Sequence, residues 1–397
     1  MPNVLTINGG SSSIRFAIFE GGQPPKRVLS GKMDRIGGSD ANLMLDQGLD
    51  HHATPAKLKI KGKGTAVDSL LDWLESQLPV DGLGGAGHRV VHGMLRTAPE
   101  RVTEELLHEL KGIIPFDPEH LPREIELIEA VRHRYPNLPQ AVCFDTAFHR
   151  SMPLVATQLP IPRRYGAKGI QRYGFHGLSY TFLMQELERL GDPAATRGRV
   201  ILAHLGSGAS LAAVKDGQSM DTSMGFTPAA GLVMGTRSGD LDPGLMSYLA
   251  SADGMTAKRF QTLVNHESGL LGISETSADV RDLLARESSD ARAAEALALF
   301  CYQAKKWIGS FCAALGGLDT LVFAGGIGEN AAPLRKRICE GLAFLGIDIE
   351  EAANDRHASR ISTDTGAVSV RVIRTDEESV IATLTSRVLG LEPKGDT

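Results

Sequence analysis

A short apolar run, Val4 to Ile7, is broken by Asn8-Gly9-Gly10-Ser11-Ser12-Ser13. Ile14, Phe16 and Ile18 then alternate with Arg15 and Ala17 until Glu20-Gly21-Gly22. A period of two marks a strand, so the chain is predicted to open as a β-hairpin whose turn is rich in Gly and Ser. The same grammar returns near the middle: Val200-Ile201-Leu202-Ala203, the small-residue turn Gly206-Ser207-Gly208-Ala209-Ser210, then Leu211 to Val214, closed by Lys215-Asp216-Gly217. Two such units point to a duplicated domain, with a chance recurrence of a common pattern as the alternative. Helical spacing appears elsewhere. Val67, Leu70, Leu71, Leu74 and Leu78 form one stripe, and Thr65/Asp68 resembles a capping box, predicting a helix over 65–78. Ile125, Ile128 and Val131 predict a helix that ends before Pro136, and an Ala-rich helix over 291–315 is stopped by Gly316-Gly317. Apolar strands at Ala141 to Phe144 and Thr320 to Phe323 alternate with these helices, which predicts an α/β architecture of mixed sheets covered by helices.

Length and composition narrow the function classes. A chain of 397 residues allows two or three domains at about 150 residues each, and can bury about three quarters of its unfolded surface. Its 42 basic and 47 acidic residues leave a net charge of −5, which argues against a nucleic-acid binder with a basic face. A small basic pocket for an anion stays open. Cys143, Cys301, Cys312 and Cys339 lack the close spacing of a zinc or redox motif and read as buried thiols. The first residues carry no basic leader, and no stretch approaches the roughly 18 apolar residues of a spanning helix. The expectation is a soluble cytoplasmic protein with no membrane partner.

Candidate chemistry lies in the short-residue segments. In Asn8 to Ser13, small residues let backbone N–H groups and hydroxyls approach a phosphate, with Arg15 following; a plain surface hairpin is the alternative. The turn joins two strands and lacks the Gly-Lys-Ser/Thr of a Walker A loop. In Gly87-His88-Arg89-Val90-Val91-His92-Gly93, Arg89 sits in an apolar stretch, where a guanidinium needs an anion or an ion pair. In Phe144-Asp145-Thr146-Ala147-Phe148-His149, Asp145 stands at the carboxyl end of a strand, where ligands of open α/β sheets gather, unless it only caps a helix. His176, in Tyr173-Gly174-Phe175-His176-Gly177, reads as a donor to a reacting oxyanion or as a satisfied turn histidine. Arg237, in Met234-Gly235-Thr236-Arg237-Ser238-Gly239-Asp240-Leu241-Asp242-Pro243, reads as an anion ligand or a solvated loop residue. Phe323-Ala324-Gly325-Gly326-Ile327-Gly328-Glu329-Asn330 runs from strand through glycines into a helix carrying Leu334, Ile338 and Leu342, a junction that suits a nucleoside or phosphate. Together these supply two phosphate-type turns, two arginines, a histidine and an acid, the inventory of phosphoryl transfer.

Taken in order, these segments and Asp221-Thr222-Ser223-Met224-Gly225-Phe226-Thr227-Pro228 resemble the acetate kinase family, of the actin, sugar-kinase and heat-shock ATPase superfamily, essentially end to end. The resemblance implies two duplicated ribonuclease-H-like lobes with mixed sheets, flanking helices and an interlobe cleft. Residues 1–147 with about 378–397 would form the acyl-substrate and metal lobe, and 148–377 the nucleotide-binding lobe. It implies reversible transfer from ATP to acetate, giving acetyl phosphate and ADP, with Mg2+ (Mn2+ able to stand in), by a cytoplasmic homodimer that engages no nucleic acid. By position, Asn8 and Glu377 would place the metal, Arg15 would contact nucleotide phosphate and Arg89 would hold the carboxylate. Asp145 would be the active-site acid, with His176 and Arg237 stabilising the phosphoryl group. His204, Leu205, Gly206, Ser207 and Gly208, then Asp279, Val280 and Arg281, then Gly326, Ile327, Gly328, Glu329 and Asn330 would surround the nucleotide. Val91, Phe175 and Pro228 would line the methyl pocket.

The chain also departs from that pattern. Arg15 stands where the family has Lys, Ser207 where it has Asn, Met94 where it has Gly and Tyr180 where it has a second His. Pro115-Phe116-Asp117-Pro118 replaces Leu-His-Asn-Pro. The Phe116 and Asp117 changes touch the acyl side, which leaves propionate or another short acid open beside acetate. An ATPase or regulatory module on the same fold would not need Arg89 and Val91 together with Asp145, His176 and Arg237. A sugar kinase would want polar groups where this pocket is apolar.

Overall fold

The structure, a computed structural model, describes residues 2–10, 13–22, 24–34, 42–46, 57–59, 66–77 and 82–392. It divides into two compact units: residues 1–147 with 376–397, and residues 148–375. The chain returns to the first unit two residues before the expected boundary, so Glu377 belongs with Asn8.

The first unit holds β1 (Asn3–Gly9), β2 (Ser13–Glu20), β3 (Lys26–Asp34), β4 (Asn42–Asp46), β5 (Lys57–Lys59), β6 (Leu83–Val90), β7 (Glu100–Arg101) and β8 (Gln140–Phe144) in one sheet, ordered β5-β4-β3-β2-β1-β6-β8-β7. β1 to β3 form an antiparallel meander, and β6 and β8 join parallel to β1. The second unit holds β9 (Arg199–Leu205), β10 (Ala209–Lys215), β11 (Gln218–Thr222), β12 (Thr320–Ala324) and β13 (Ser369–Val372), ordered β11-β10-β9-β12-β13. Again a meander is followed by two parallel strands. The run β3-β2-β1-β6-β8 therefore repeats as β11-β10-β9-β12-β13 with the same strand directions, as the two Gly/Ser hairpins led one to expect.

In the first unit, Leu5, Ile7, Phe16, Ile18 and Met33 pack with Leu70, Leu71 and Leu74 of helix Ala66–Gln77 and with Leu127 and Val131 of helix Leu121–Arg134. Val4, Ala17 and Phe19 pack with Ala382 of helix Glu377–Leu389. Thr65 and Leu78, the expected ends of the first of these helices, lie outside the described residues. Helix Glu377–Leu389 is started by Asp376, whose side chain accepts from Ser379 N–H, and rests on β6 where that strand is nearly bare. A Cβ on Gly87 would fall onto Thr385 and Ile381, and one on Gly85 onto Leu389. The glycines of β6 let the helix come close enough to hold Glu377 beside the end of β1.

In the second unit, Val200, Leu202, Ala212, Val214 and Val322 pack with Tyr180, Leu183 and Leu187 of helix Gly177–Arg189. Helix Ala291–Leu315 also lies against β9 and β10, capped by Asp290 and ended by Gly316 at φ 73°. The turn at Asp216-Gly217 has positive φ at both residues (51° and 78°), the hairpin form whose twist matches its strands. One expectation needs correction. The helix after β12 is not continuous: Gly325–Asn330 ends at Ala331, a second helix runs Ala332–Cys339, and Leu342 lies beyond it. Pro333 lacks the N–H an uninterrupted helix would need there. The four cysteines are free and buried, and burial pushes their thiols up to about 11 or 12. No helix among the described residues is long and apolar enough to cross a membrane.

Candidate active site

In the first unit, four of the singled-out residues meet at the carboxyl ends of β1, β6 and β8. Arg89 donates from Nε (2.9 Å) and Nη2 (2.5 Å) to Asp145 Oδ2. Its Nη1 makes only longer approaches, 3.4 Å each, to Asn8 Oδ1 and Gly9 O. Asn8 Nδ2 donates to Glu377 Oε2 at 2.9 Å and reaches Glu378 Oε1 at 3.4 Å. Burial works against the charge on Arg89, but Asp145, Glu377 and Glu124 outweigh it and hold the guanidinium well above its ordinary range. Burial raises the Glu377 and Glu378 carboxyls; Arg89, Asn8 and Arg15 pull Glu377 back only in part. Arg15 is exposed and sits directly across from Asn8 in the hairpin. Ser11 and Ser12 of that turn lie outside the described residues.

This corner has the chemistry of a hydrated divalent-cation site. Asp145 is fully buried, yet its Oδ1 has no hydrogen-bond partner among the described residues. Together with Glu377 and the Asn8 amide oxygen it offers hard oxygen donors only. Magnesium takes such donors and keeps several of its own waters. The residues therefore fit the ion expected here.

Sequence reasoning missed Glu124. It lies on helix Leu121–Arg134 among Leu121, Ile125 and Ile128, is 3 % exposed, and accepts the Val91 N–H at 3.0 Å. Burial, joined by Asp117 and Asp145 and opposed by Arg89, pushes its carboxyl up to about 8. A charge on an apolar stripe was the signal. Nearby, Asp117 is buried and pairs with His120 Nδ1 at 2.9 Å, while the Phe116 ring stands 5.9 Å from that of His92. Val91 itself is buried.

In the second unit the focus is the turn between β9 and β10. Gly206 N–H closes it onto Gly208 O at 3.0 Å. A Cβ on Gly208 would stand 3.4 Å from His176 Nε2 and 3.5 Å from Arg237 Nη1, so both side chains converge over a bare backbone. His176 is not an ordinary turn residue. It caps helix Gly177–Arg189 in the left-handed region (φ 60°), a conformation that a non-Gly residue adopts at a cost. Its Nδ1 meets Ser210 Oγ at 2.8 Å, and its ring stacks on His204 at 4.3 Å. Arg237 is not a loose loop arginine either. Its Nη1 donates to Pro228 O at 3.0 Å, and its loop is braced by Met234 N–H to Arg237 O and Gly231 N–H to Asp240 Oδ1. Phe175 is buried, and its carbonyl accepts from His149 Nε2.

The remaining expected nucleotide contacts border this turn. Gly235 N–H donates to Ser207 O at 3.0 Å, and the position of its missing Cβ lies 3.4 Å from Ala278 O, which brings the 279–281 segment alongside. Asp279 caps helix Val280–Arg286 and pairs with Arg281, which is otherwise exposed. Gly325, at φ 75°, has room only for hydrogen, since a Cβ would strike the Leu205 carbonyl, so β12 enters its glycines hard against β9. Glu329 Oε1 accepts from Gly325 N–H and Thr375 N–H, and Asn330 Nδ2 donates to Gly326 O. Buried Arg335 donates to the carbonyls of Gly328 and Glu329, the two residues that follow Ile327.

The chain is similar along nearly its whole length to short-chain carboxylate kinases. An acetate kinase of Rhodopseudomonas palustris is 42 % identical over 397 residues, covering 96 % of each chain. A propionate kinase of Citrobacter rodentium is 42 % identical over 386 residues, covering 96 % of this chain and 95 % of that one. Among solved structures, a propionate kinase from Francisella tularensis superposes with a TM-score of 0.89 at 34 % identity, over 98 % of this chain and all of that one. The acetate kinase of Porphyromonas gingivalis does so with 0.87 at 33 %, over the same shares. The model of the acetokinase family matches residues 3–383, and this chain belongs to that family.

Proposed function

We propose that this chain is a short-chain carboxylate kinase that phosphorylates acetate with ATP and magnesium, reversibly giving acetyl phosphate and ADP. The observation that carries the reading is the convergence of His176 Nε2 and Arg237 Nη1 over Gly208. A guanidinium and an imidazole nitrogen that converge over a turn with no side chain suit the equatorial oxygens of a phosphoryl group in transfer.

Acetate, with a pKa near 4, is already anionic at pH 7 and needs no strong base. One of its oxygens bonds to the γ-phosphorus while the bridging bond to the β-phosphate breaks and ADP leaves. Arg89 would take the carboxylate on Nη1, the edge that makes only long bonds in this structure. Asp145 holds the other edge of the guanidinium and so fixes its plane. The family likeness assigns Val91, Phe175 and Pro228 to the methyl group, and the turn at 204–208 with the 279–281 and 326–330 segments would take the nucleotide. Asn8 and Glu377, beside Asp145, would hold magnesium, which when bound neutralises charge on the phosphate oxygens. The family likeness also suggests a homodimer. Helix Gly244–Asp253 has no buried residue, with Tyr248 exposed on it, and light scattering on the purified chain would separate one copy from two.

Relatives named for acetate and for propionate stand at the same identity, so the acid must be argued from the pocket. Phe116 adds apolar area beside His92, next to Val91. One further methylene buried there is worth roughly 0.8 kcal/mol, about fourfold. Acetate is the assigned substrate, with propionate within about tenfold in kcat/KM. Hydroxamate trapping over formate, acetate, propionate and butyrate tests both levels. Acyl phosphate from none of them overturns the kinase reading. An acetate lead over propionate beyond about a hundredfold, unchanged in Phe116→His, removes Phe116 from the acyl site. Arg237→Ala should lower kcat by several orders of magnitude with little change in nucleotide KM, because the guanidinium acts on charge that develops in the transition state.

A further inference from the structure

Tyr180 and Ser210 carry none of the roles assigned above, yet they stand directly behind His176. Ser210 Oγ lies 2.8 Å from His176 Nδ1 and 2.5 Å from the Tyr180 hydroxyl. Both are fully buried, Ser210 on β10 and Tyr180 one turn into the helix that His176 caps. The neighbouring residue does the same for the other imidazole of the stack: Ser179 Oγ lies 2.8 Å from His204 Nδ1 and 2.8 Å from Thr375 Oγ1. Successive residues of one helix thus reach the Nδ1 edges of two rings stacked at 4.3 Å, 25° from parallel, Ser179 directly and Tyr180 through Ser210. The Tyr180 ring is itself set by Phe148 and His149, each 5.6 Å away between centroids.

The direction of this hydrogen-bond chain decides where His176 carries its proton. A phenol is a better donor and poorer acceptor than an aliphatic hydroxyl, and a neutral imidazole nitrogen is a good acceptor. The favoured order is therefore Tyr180 O–H to Ser210 Oγ, and Ser210 O–H to His176 Nδ1, each bond polarising the next. With Nδ1 accepting, the ring proton sits on Nε2, the atom that reaches over Gly208 beside Arg237. We propose that Tyr180, acting through Ser210, is a positioning residue that fixes His176 as the Nε2–H tautomer and so keeps it a donor toward the transferring group. The proposal rests on the reading of His176 above for its kinetic consequence, but not for the tautomer.

The test uses the full chain labelled with 15N-histidine. The His176 signals are assigned by their loss in His176→Asn, and tautomers are read by two-dimensional NMR. Wild type should show His176 protonated on Nε2 and not on Nδ1. Tyr180→Phe keeps the ring and removes only the hydroxyl; it should admit the Nδ1–H form and lower kcat about tenfold, the worth of one net hydrogen bond, with KM for ATP and acetate within about twofold. Ser210→Ala, which stays small on its strand, should do the same, and the double variant should be no worse than Ser210→Ala alone. A wild-type His176 protonated on Nδ1 overturns the proposal, as does Tyr180→Phe or Ser210→Ala with an unchanged tautomer. A tautomer shift with undiminished kcat upholds the positioning and instead removes His176 from the chemistry.

Discussion

Glu124 shows how one buried group reports on the pocket around it. Its carboxyl accepts the Val91 N–H, and burial, with Asp117 and Asp145 adding to it, pushes its pKa up to about 8 against Arg89. A carboxyl raised on folding favours the protonated native state. Its contribution is fully present below the unfolded pKa near 4.5 and is lost as pH rises toward 8. Gln keeps the acceptor for Val91 and removes the titration. Glu124→Gln should therefore match wild type in melting temperature near pH 5, gain on it steadily toward pH 8 by at most about 1.4 kcal/mol per pH unit, and hold that lead above it. Parallel melting curves at several pH values check this, and a difference that stays flat with pH would mean Glu124 is ionised throughout. Sequence reading picked out Arg89 because a guanidinium among apolar neighbours demands an anion. It passed over Glu124 because helical periodicity draws the eye to the apolar members of the stripe.

At the scale of elements, the site depends on how closely helix Glu377–Leu389 can approach β6. Gly87 has Thr385 and Ile381 where a methyl would be, and Gly85 has Leu389. Gly87→Ala should overpack this contact and destabilise the fold by roughly 1–3 kcal/mol. Displacing the helix would also move Glu377 away from Asn8, so metal-dependent activity should fall further than the loss of folded protein explains. Thermal denaturation with activity per folded molecule checks both, and a variant that melts and turns over like wild type would show that the helix has slack. The elements themselves were largely legible in the chain. Alternation gave the opening hairpin, and the Ala-rich stripe with its Gly stop gave the long helix at its observed bounds. What local pattern could not give was the break at Ala331, where one proline divides a stripe whose apolar spacing runs on unbroken.

At the scale of the molecule, the duplicated order of strands was readable because each copy opens with the same Gly/Ser hairpin. Local pattern did not give the pairing of distant elements, which is decided by which faces cover one another; the return of the chain's end to Asn8 was an expectation of the family resemblance alone. The first unit is closed only by the end of the chain: Ala382 completes the cluster of Val4, Ala17 and Phe19, and Glu377 completes the polar corner at Asn8 and Arg89. Residues 148–375 carry a sheet and core of their own, with Val200, Leu202, Ala212 and Val322 packed on helix Gly177–Arg189. Deleting residues 376–397 should therefore unfold the first unit and leave the second standing. Hydrogen exchange followed by mass spectrometry should find amides of β1, β2, β6 and β8 unprotected in the truncated chain. Those of β9, β10 and β12 should keep slow exchange, and kinase activity should be absent. Uniform loss of protection across both sheets would mean that the second unit needs the first in order to fold. Retained protection in β1 and β6 would mean that the sheet holds without the helix that covers it.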